Sequence, residues 1–380
     1  MRIYWFLPAI LCIISCSATR KASQQQTAAP TQLRYIGQYI VPHNMPYQGT
    51  LVGGLSGIDY DEKQEQYYLI CDDRSERNPA RYYTAKLHFS ATRFDSVQFT
   101  AVTTLRQSNG QPFPSNKINP MLAPDPEAMR INPKTGTLVW SSEGERIVNE
   151  KDTILHNPAV YEISQSGAIK DSFALPPVFR MQASAKGARR NGAFEGLGFT
   201  PDARYLYVSM EEPLYEDGPR ADLTDNNAFV RIIKFDATTR QPVGQYAYKL
   251  APVAQPATPP DGFKINGISD ILVLSAKQLL TLERSFSTGA RNCTIRLFLT
   301  NLENATDISQ FTALQTQTAF TPASKTLLFN FDSLNKYIDN IEGVTFGPSL
   351  PNGHRTLIFV ADNNFSDKEE SQFFLFEVIP

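Results

Sequence analysis

Five times along the chain, a Ser or Glu followed by Gly, Ala or Asp introduces a pair of short apolar strands. The copies are Ser56-Gly57, Glu127-Ala128, Glu195-Gly196, Ser269-Asp270 and Glu342-Gly343, spaced 68 to 74 residues apart. Self-similarity at such a period marks a repeat architecture, because one repeat cannot bury its apolar face alone. In register the copies read SGIDY then QYYLICDD, EAMRINPKTG then TLVWSSE, EGLGFTPDA then RYLYVSMEE, SDILVLSAK then QLLTLER, and EGVTFGPSLPNG then RTLIFVADN. The turns between paired strands are rich in Pro, Gly, Asn, Asp and Lys, as hairpins require. Two further alternating or apolar strands follow each pair in the first four copies, whereas the fifth is followed only by FFLFEVI (373–379). LRYIGQYIV (33–41) near the other terminus supplies the missing strand and would close the ring. The pattern predicts an all-β chain folded as a five-bladed β-propeller whose N- and C-terminal strands share a blade. A six-bladed ring would need strands that the sequence does not offer. Helix is expected only as a turn around residues 334–341.

The first sixteen residues read as a targeting segment. Arg2 is followed by an apolar run to Ser15, and Ile13-Ile14-Ser15-Cys16 fits a bacterial lipoprotein cleavage box. Residues 1–15 are therefore expected to be a signal peptide, Cys16 the lipidated residue, residues 16–32 a polar tether and residues 33–380 the propeller. This implies a lipid-anchored cell-envelope protein, periplasmic or on the outer membrane, that touches the membrane only through its N-terminal lipid. With Cys12 and Cys16 assigned to that segment, Cys71 and Cys293 remain; they fall at different strand positions in different blades and read as small buried residues rather than a disulfide. Net charge is −2 with a pI of about 6.1, which gives no support to nucleic-acid binding. A monomer acting on a small molecule is expected.

A propeller brings equivalent positions of every repeat to one axis, so Ser56, Glu127, Glu195, Ser269 and Glu342 should converge on one face. Three glutamates in one channel repel one another and are rarely buried without a partner. A hard dication resolves the repulsion. Oxygen donors of this number suit Ca²⁺ better than Mg²⁺, and with four His and no Cys/His cluster Zn²⁺ is disfavoured. A second set of acids ends the second strands on the same face: Asp72 and Asp73, Glu143 and Glu145, Glu211 and Glu212, Glu283, and Asp362. Arg74 and Arg284 follow directly in two blades, and Arg189 and Arg190 lie in a basic loop. Carboxylates there suit proton transfer from water, and arginines suit phosphate through their forked donors. The candidate catalytic residues are Asp72, Asp73, Glu143, Glu211, Arg74 and Arg284.

The blocks GGLSGIDYD, DPEAMRIN, NGAFEGLGFTPDARYLYVSMEEP, LLTLERSFSTGARNCTIRLFL and NIEGVTFGP resemble the bacterial phytase-like family, also described as esterase-like activity of phytase. The resemblance runs from about residue 35 to the C-terminus and implies phosphoester hydrolysis. More remotely, the Ser, Glu, Glu, Ser, Glu order is similar to the central calcium ring of five-bladed calcium-activated nucleotidases, which would make those five residues calcium ligands. The expectation is a calcium-dependent phosphoester hydrolase acting at the channel mouth on a small phosphorylated or ester substrate. The alternatives are a non-catalytic binding propeller stabilised by calcium, and a calcium-dependent lactonase or carboxylesterase.

Overall fold

The computed structural model describes Met1, residues 29–317 and residues 319–380; the signal peptide, the tether up to residue 28 and Cys16 lie outside the described residues. Five four-stranded antiparallel sheets form the blades; in blades one to four the first strand in sequence is innermost, and in blade five the innermost strand is Asn340–Ser349. Blade one comprises Leu55–Asp61, Gln66–Cys71, Arg81–Phe89 and Phe94–Thr104. Blade two comprises Pro126–Ile131, Leu138–Ser142, Ala159–Ile163 and Ile169–Ser172, and blade three Phe194–Phe199, Tyr205–Met210, Phe229–Asp236 and Pro242–Lys249. Blade four comprises Lys264–Ser275, Gln278–Ser287, Thr294–Asn301 and Ser324–Asn330. Blade five is built from Asn340–Ser349, Arg355–Asp362 and Ser371–Ile379, with Gln32–Val41 as its outer strand.

That outer strand pairs antiparallel with Ser371–Ile379, so the two ends of the chain close the ring as the sequence predicts. The innermost strand of each blade packs against that of the next, including blade five against blade one. Apolar faces stack between blades. Between blades four and five, Phe331, Phe359, Phe374 and Phe376 meet edge to face, the arrangement that aromatic rings favour. Between blades one and two, Trp140 packs with Ile70, Tyr82 and Met129.

Three local features differ from the sequence reading. The helical turn lies at Phe331–Leu334 rather than across 334–341, where Asn335 in the left-handed region ends it and residues from 340 onward are strand. A second short turn occurs at Pro177–Phe179. Two small hairpins, Pro46–Tyr47 with Thr50–Leu51 and Glu145–Val148 with Thr153–His156, lie outside the blades; segments this short carry little periodic signal. Cys71 and Cys293 are free and buried, as expected. Among the described residues no helix is long and apolar enough to cross a membrane.

Candidate functional site

Each of the five marker residues sits at a β-bulge. The pairing slips by one residue between Leu55 and Gly57, Pro126 and Met129, Phe194 and Leu197, Ile268 and Asp270, and Ile341 and Gly343. A bulge leaves one residue out of the ladder and re-aims its side chain. Repeated five times, it gathers the marker side chains at one end of the channel. The residue after four of the five markers is small (Gly57, Ala128, Gly196 and Gly343), and at Gly57 and Gly196 neighbouring inner strands nearly touch. A Cβ on Gly57 would lie 2.9 Å from the Glu127 carbonyl, and one on Gly196 would lie 2.6 Å from the Ile271 nitrogen. Ser141 and Ser209 secure two of the bulges by accepting the N–H groups of Ala128 and Gly196 at 3.0 and 3.2 Å.

The ring divides into two kinds of member. Ser56 Oγ donates to the Glu127 carbonyl at 2.7 Å and Ser269 Oγ donates to the Ile341 carbonyl at 3.1 Å, so both serines tie neighbouring inner strands together. Glu127, Glu195 and Glu342 instead line a cavity of about 510 Å³, together with Asp72, Glu143, Glu211 and Arg284. The structure thus brings three ring glutamates and three second-strand acids into one chamber. A second cavity of about 440 Å³ shares Asp72 and adds Asp73, Arg74, Glu76, Arg77 and Lys117.

One carboxylate oxygen from each of Asp72, Asp125 and Glu127 lies within 4.8 Å of the other two, and the same holds for Glu127, Glu143 and Glu195. Oxygens facing each other across a calcium ion at ~2.4 Å each are about 4.8 Å apart, so either trio can hold a dication. Glu127 belongs to both. Burial, and then the charge of Asp72, Glu195, Asp125 and Glu143, pushes the Glu127 carboxyl well above the ordinary range. Glu195 and Glu143 are displaced the same way by burial first and by facing carboxylates second. Burial and Asp125 raise Asp72 to about 8; Asp125 itself rises to about 7 through burial, against the opposing pull of Arg74. Buried carboxylates facing one another in this way, with all-oxygen donors, fit a hard cation.

The arginines act as internal counterions. Arg284 donates to Glu211 at 2.6 Å and stands 3.7 Å from Glu342. Arg74 lies between Asp125 (3.3 Å) and Glu145 (3.0 Å), and Arg190 also reaches Glu145 at 2.8 Å. The remaining sequence candidates serve the scaffold. Asp73 accepts the N–H groups of Glu76, Arg77 and Asn78 and pairs with buried Arg81 at 2.7 Å. Glu283 accepts from Tyr248, Asn266 and Lys325, Glu212 pairs with Arg220, and Asp362 caps the Asn364 N–H. Arg189 stacks on Tyr215 and donates to the carbonyls of Pro213 and Gly218.

One residue-layer beyond the ring, the channel is closed. Arg130 of blade two donates to Asp270 at 2.6 Å and to the carbonyls of Ile58, Ile271 and Val344, which belong to blades one, four and five. Its guanidinium therefore bridges inner strands of four blades across the axis. Asp270, the one marker partner that is not small, exists to receive it.

The family model described as phytase-like, esterase-like activity of phytase, matches residues 50–365, which include blades one to four, the two inner strands of blade five and both acid sets. The chain belongs to the phytase-like family. No curated protein matches it. Among solved structures it is similar to a GH43 β-1,3-galactosidase with galactodeoxynojirimycin (10% identity over 89% of this chain and 93% of that one, TM-score 0.42). It is also similar to a gluconolactonase from Xanthomonas campestris (9% identity, 93% and 99% covered, TM-score 0.35) and to the Dos1 propeller (6% identity, 85% and 68%, TM-score 0.33).

Asp125 was missed by the sequence reading, although a signal for it exists. The residues two positions before the markers are Gly54, Asp125, Ala193, Gly267 and Asn340, so blade two alone places an acid there. Asn340 at the equivalent position donates to Glu342 at 2.9 Å.

Proposed function

We propose that this phytase-like protein is a calcium-dependent phosphoester hydrolase, anchored to the bacterial cell envelope through Cys16 and working at the open mouth of its channel. One observation carries the reading: two carboxylate trios share Glu127 at the floor of a chamber closed behind by Arg130. Asp125, Glu127, Glu143 and Glu195 would hold the metal, and bound calcium would supply Lewis-acid polarisation of a phosphoryl oxygen.

The chain's own residues supply the rest. Arg284 lines the chamber with one arm of its fork on Glu211, which leaves donors for a non-bridging phosphate oxygen. Asp72 stands where the two cavities meet and is placed to take the proton of an attacking water. The water oxygen bonds to phosphorus as the phosphorus–oxygen ester bond breaks. Glu211 holds the Arg284 guanidinium in the chamber, and the departing alkoxide takes its proton from solvent water at the open mouth. Asp73, committed to Arg81 and its loop, has no role in proton transfer.

The paired state of Arg74 and Arg284 favours one second reading, a lactone or carboxylester hydrolase, which needs no free arginine. Phosphate and acid release from matched phosphoester and carboxylester panels, with calcium and with chelator, separates them. Calcium-dependent phosphate release supports the first reading. Carboxylester turnover alone supports the second, and turnover of neither refutes both.

A further inference from the structure

The two walls of the chamber differ in chemistry. On the side built by blades four and five, Phe263, Ile265, Phe286, Ala290 and Tyr337 form an aromatic and apolar patch among the polar groups Arg284, Asp339 and Glu342. Phe263 is 53% exposed, although its backbone is tied down. Its carbonyl accepts from both the backbone N–H and the hydroxyl of Thr288, at 2.8 and 3.1 Å, and its ring lies tilted against Phe286 with centroids 6.4 Å apart. An exposed ring fixed at a cavity mouth is a preformed contact surface, costing little order when a partner arrives. The charge around it is one-sided. Eight carboxylates line the chamber against three cations, Arg284, Arg291 and Lys368, and Arg284 already serves Glu211.

Resting on the proposed hydrolase reading, we infer that the site takes an ester whose organic half is aromatic or apolar and stacks on Phe263, and that it rejects polyphosphorylated sugars. A single phosphoryl or carboxyl group meets the metal and Arg284 while the attached ring covers Phe263 and Phe286. A polyphosphorylated ring would instead set several further anionic groups against carboxylates, with two exposed side chains, Arg291 and Lys368, to receive them.

The test is equilibrium binding to the calcium-loaded full-length protein, using phenylphosphonate against methylphosphonate, phenylacetate against acetate, and inositol hexakisphosphate. The phenyl ligand of a pair should bind about tenfold tighter than its methyl counterpart. Phe263→Ala should remove that advantage and leave the methyl ligand unchanged, which also shows that the variant is folded, while Phe263→Trp should keep it. Inositol hexakisphosphate should bind more weakly than phenylphosphonate. If both phosphonates bind equally, or the hexakisphosphate binds tightest, the inference fails while a phosphoester hydrolase survives. If neither phosphonate binds but the carboxylate pair shows Phe263-dependent selectivity, the phosphoester reading fails and the inference stands. Absence of selectivity in every pair overturns it.

Discussion

Replacing Asp125 by Asn should change stability in opposite directions with and without calcium. Without metal, Asp125 is a buried carboxyl whose strongest opposing charge is Arg74, and burial moves it from 3.8 to about 7. At about 1.4 kcal/mol for each tenfold in proton affinity, ionising it inside the fold at pH 8 costs roughly 4 kcal/mol. Asn removes that cost, and Arg74 keeps Glu145 as its partner. With an unfolding entropy of about 2.1 cal/mol/K per residue over roughly 350 residues, the gain is about 5 °C in Tm. Scanning calorimetry at pH 8 with chelator should show this rise. The gain should shrink as pH falls and vanish near pH 4, where the unfolded carboxyl is also protonated. In calcium the variant has lost a ligand, so the calcium-induced rise in Tm should be smaller than in the parent. Equal loss of Tm with calcium and with chelator would refute the reasoning and make Asp125 a plain structural partner of Arg74.

The same carboxyls set the pH dependence of the metal-free protein. Asp72 near 8 and Asp125 and Glu342 near 7 are raised in the fold, so the native state binds protons that the unfolded chain has released. Their contribution is fully present below pH 4 and is lost as pH rises toward 8, so chelated protein should unfold at lower temperature at pH 8 than at pH 6, and calcium should flatten that slope. Arg130→Met should cost about 3–5 kcal/mol by stranding Asp270 in the channel, and Arg130→Met with Asp270→Leu should recover part of it in denaturant titrations. Gly196→Val should destabilise by about 1–3 kcal/mol, since its Cβ would press on the backbone of blade four. Calcium affinity of Glu195→Gln should fall together with any ester hydrolysis, measured on one preparation.

The blade count, the shared closing blade and the converging markers were legible because a propeller repeats one spacing, and a period survives weak local propensity. The bulges were not legible: a bulge shows only when a strand is paired, and Ser56 and Glu127 look alike until one hydroxyl finds a carbonyl and one carboxylate faces the chamber. For the same reason the acids that end the second strands divided after folding. Asp72, Glu143 and Glu211 face the chamber, whereas Asp73 turns to Arg81 on the next strand and Glu283 to Lys325, partners that the repeat spacing does not announce. Asp125 escaped because its significance is a departure from the repeat, an acid in a column that is otherwise Gly, Ala or Asn. The Arg130 closure pairs residues from blades two and four across the axis, a contact that spacing alone does not reveal.

The central claim is that buried carboxylates around Glu127 hold calcium. Calorimetric titration of the chelator-treated full-length protein with calcium, beside Glu127→Gln, addresses it most directly. Tight binding is expected in the parent and loss of at least one ion in the variant, because Glu127 serves both trios. No calcium bound by the parent, or identical binding by both proteins, would contradict it.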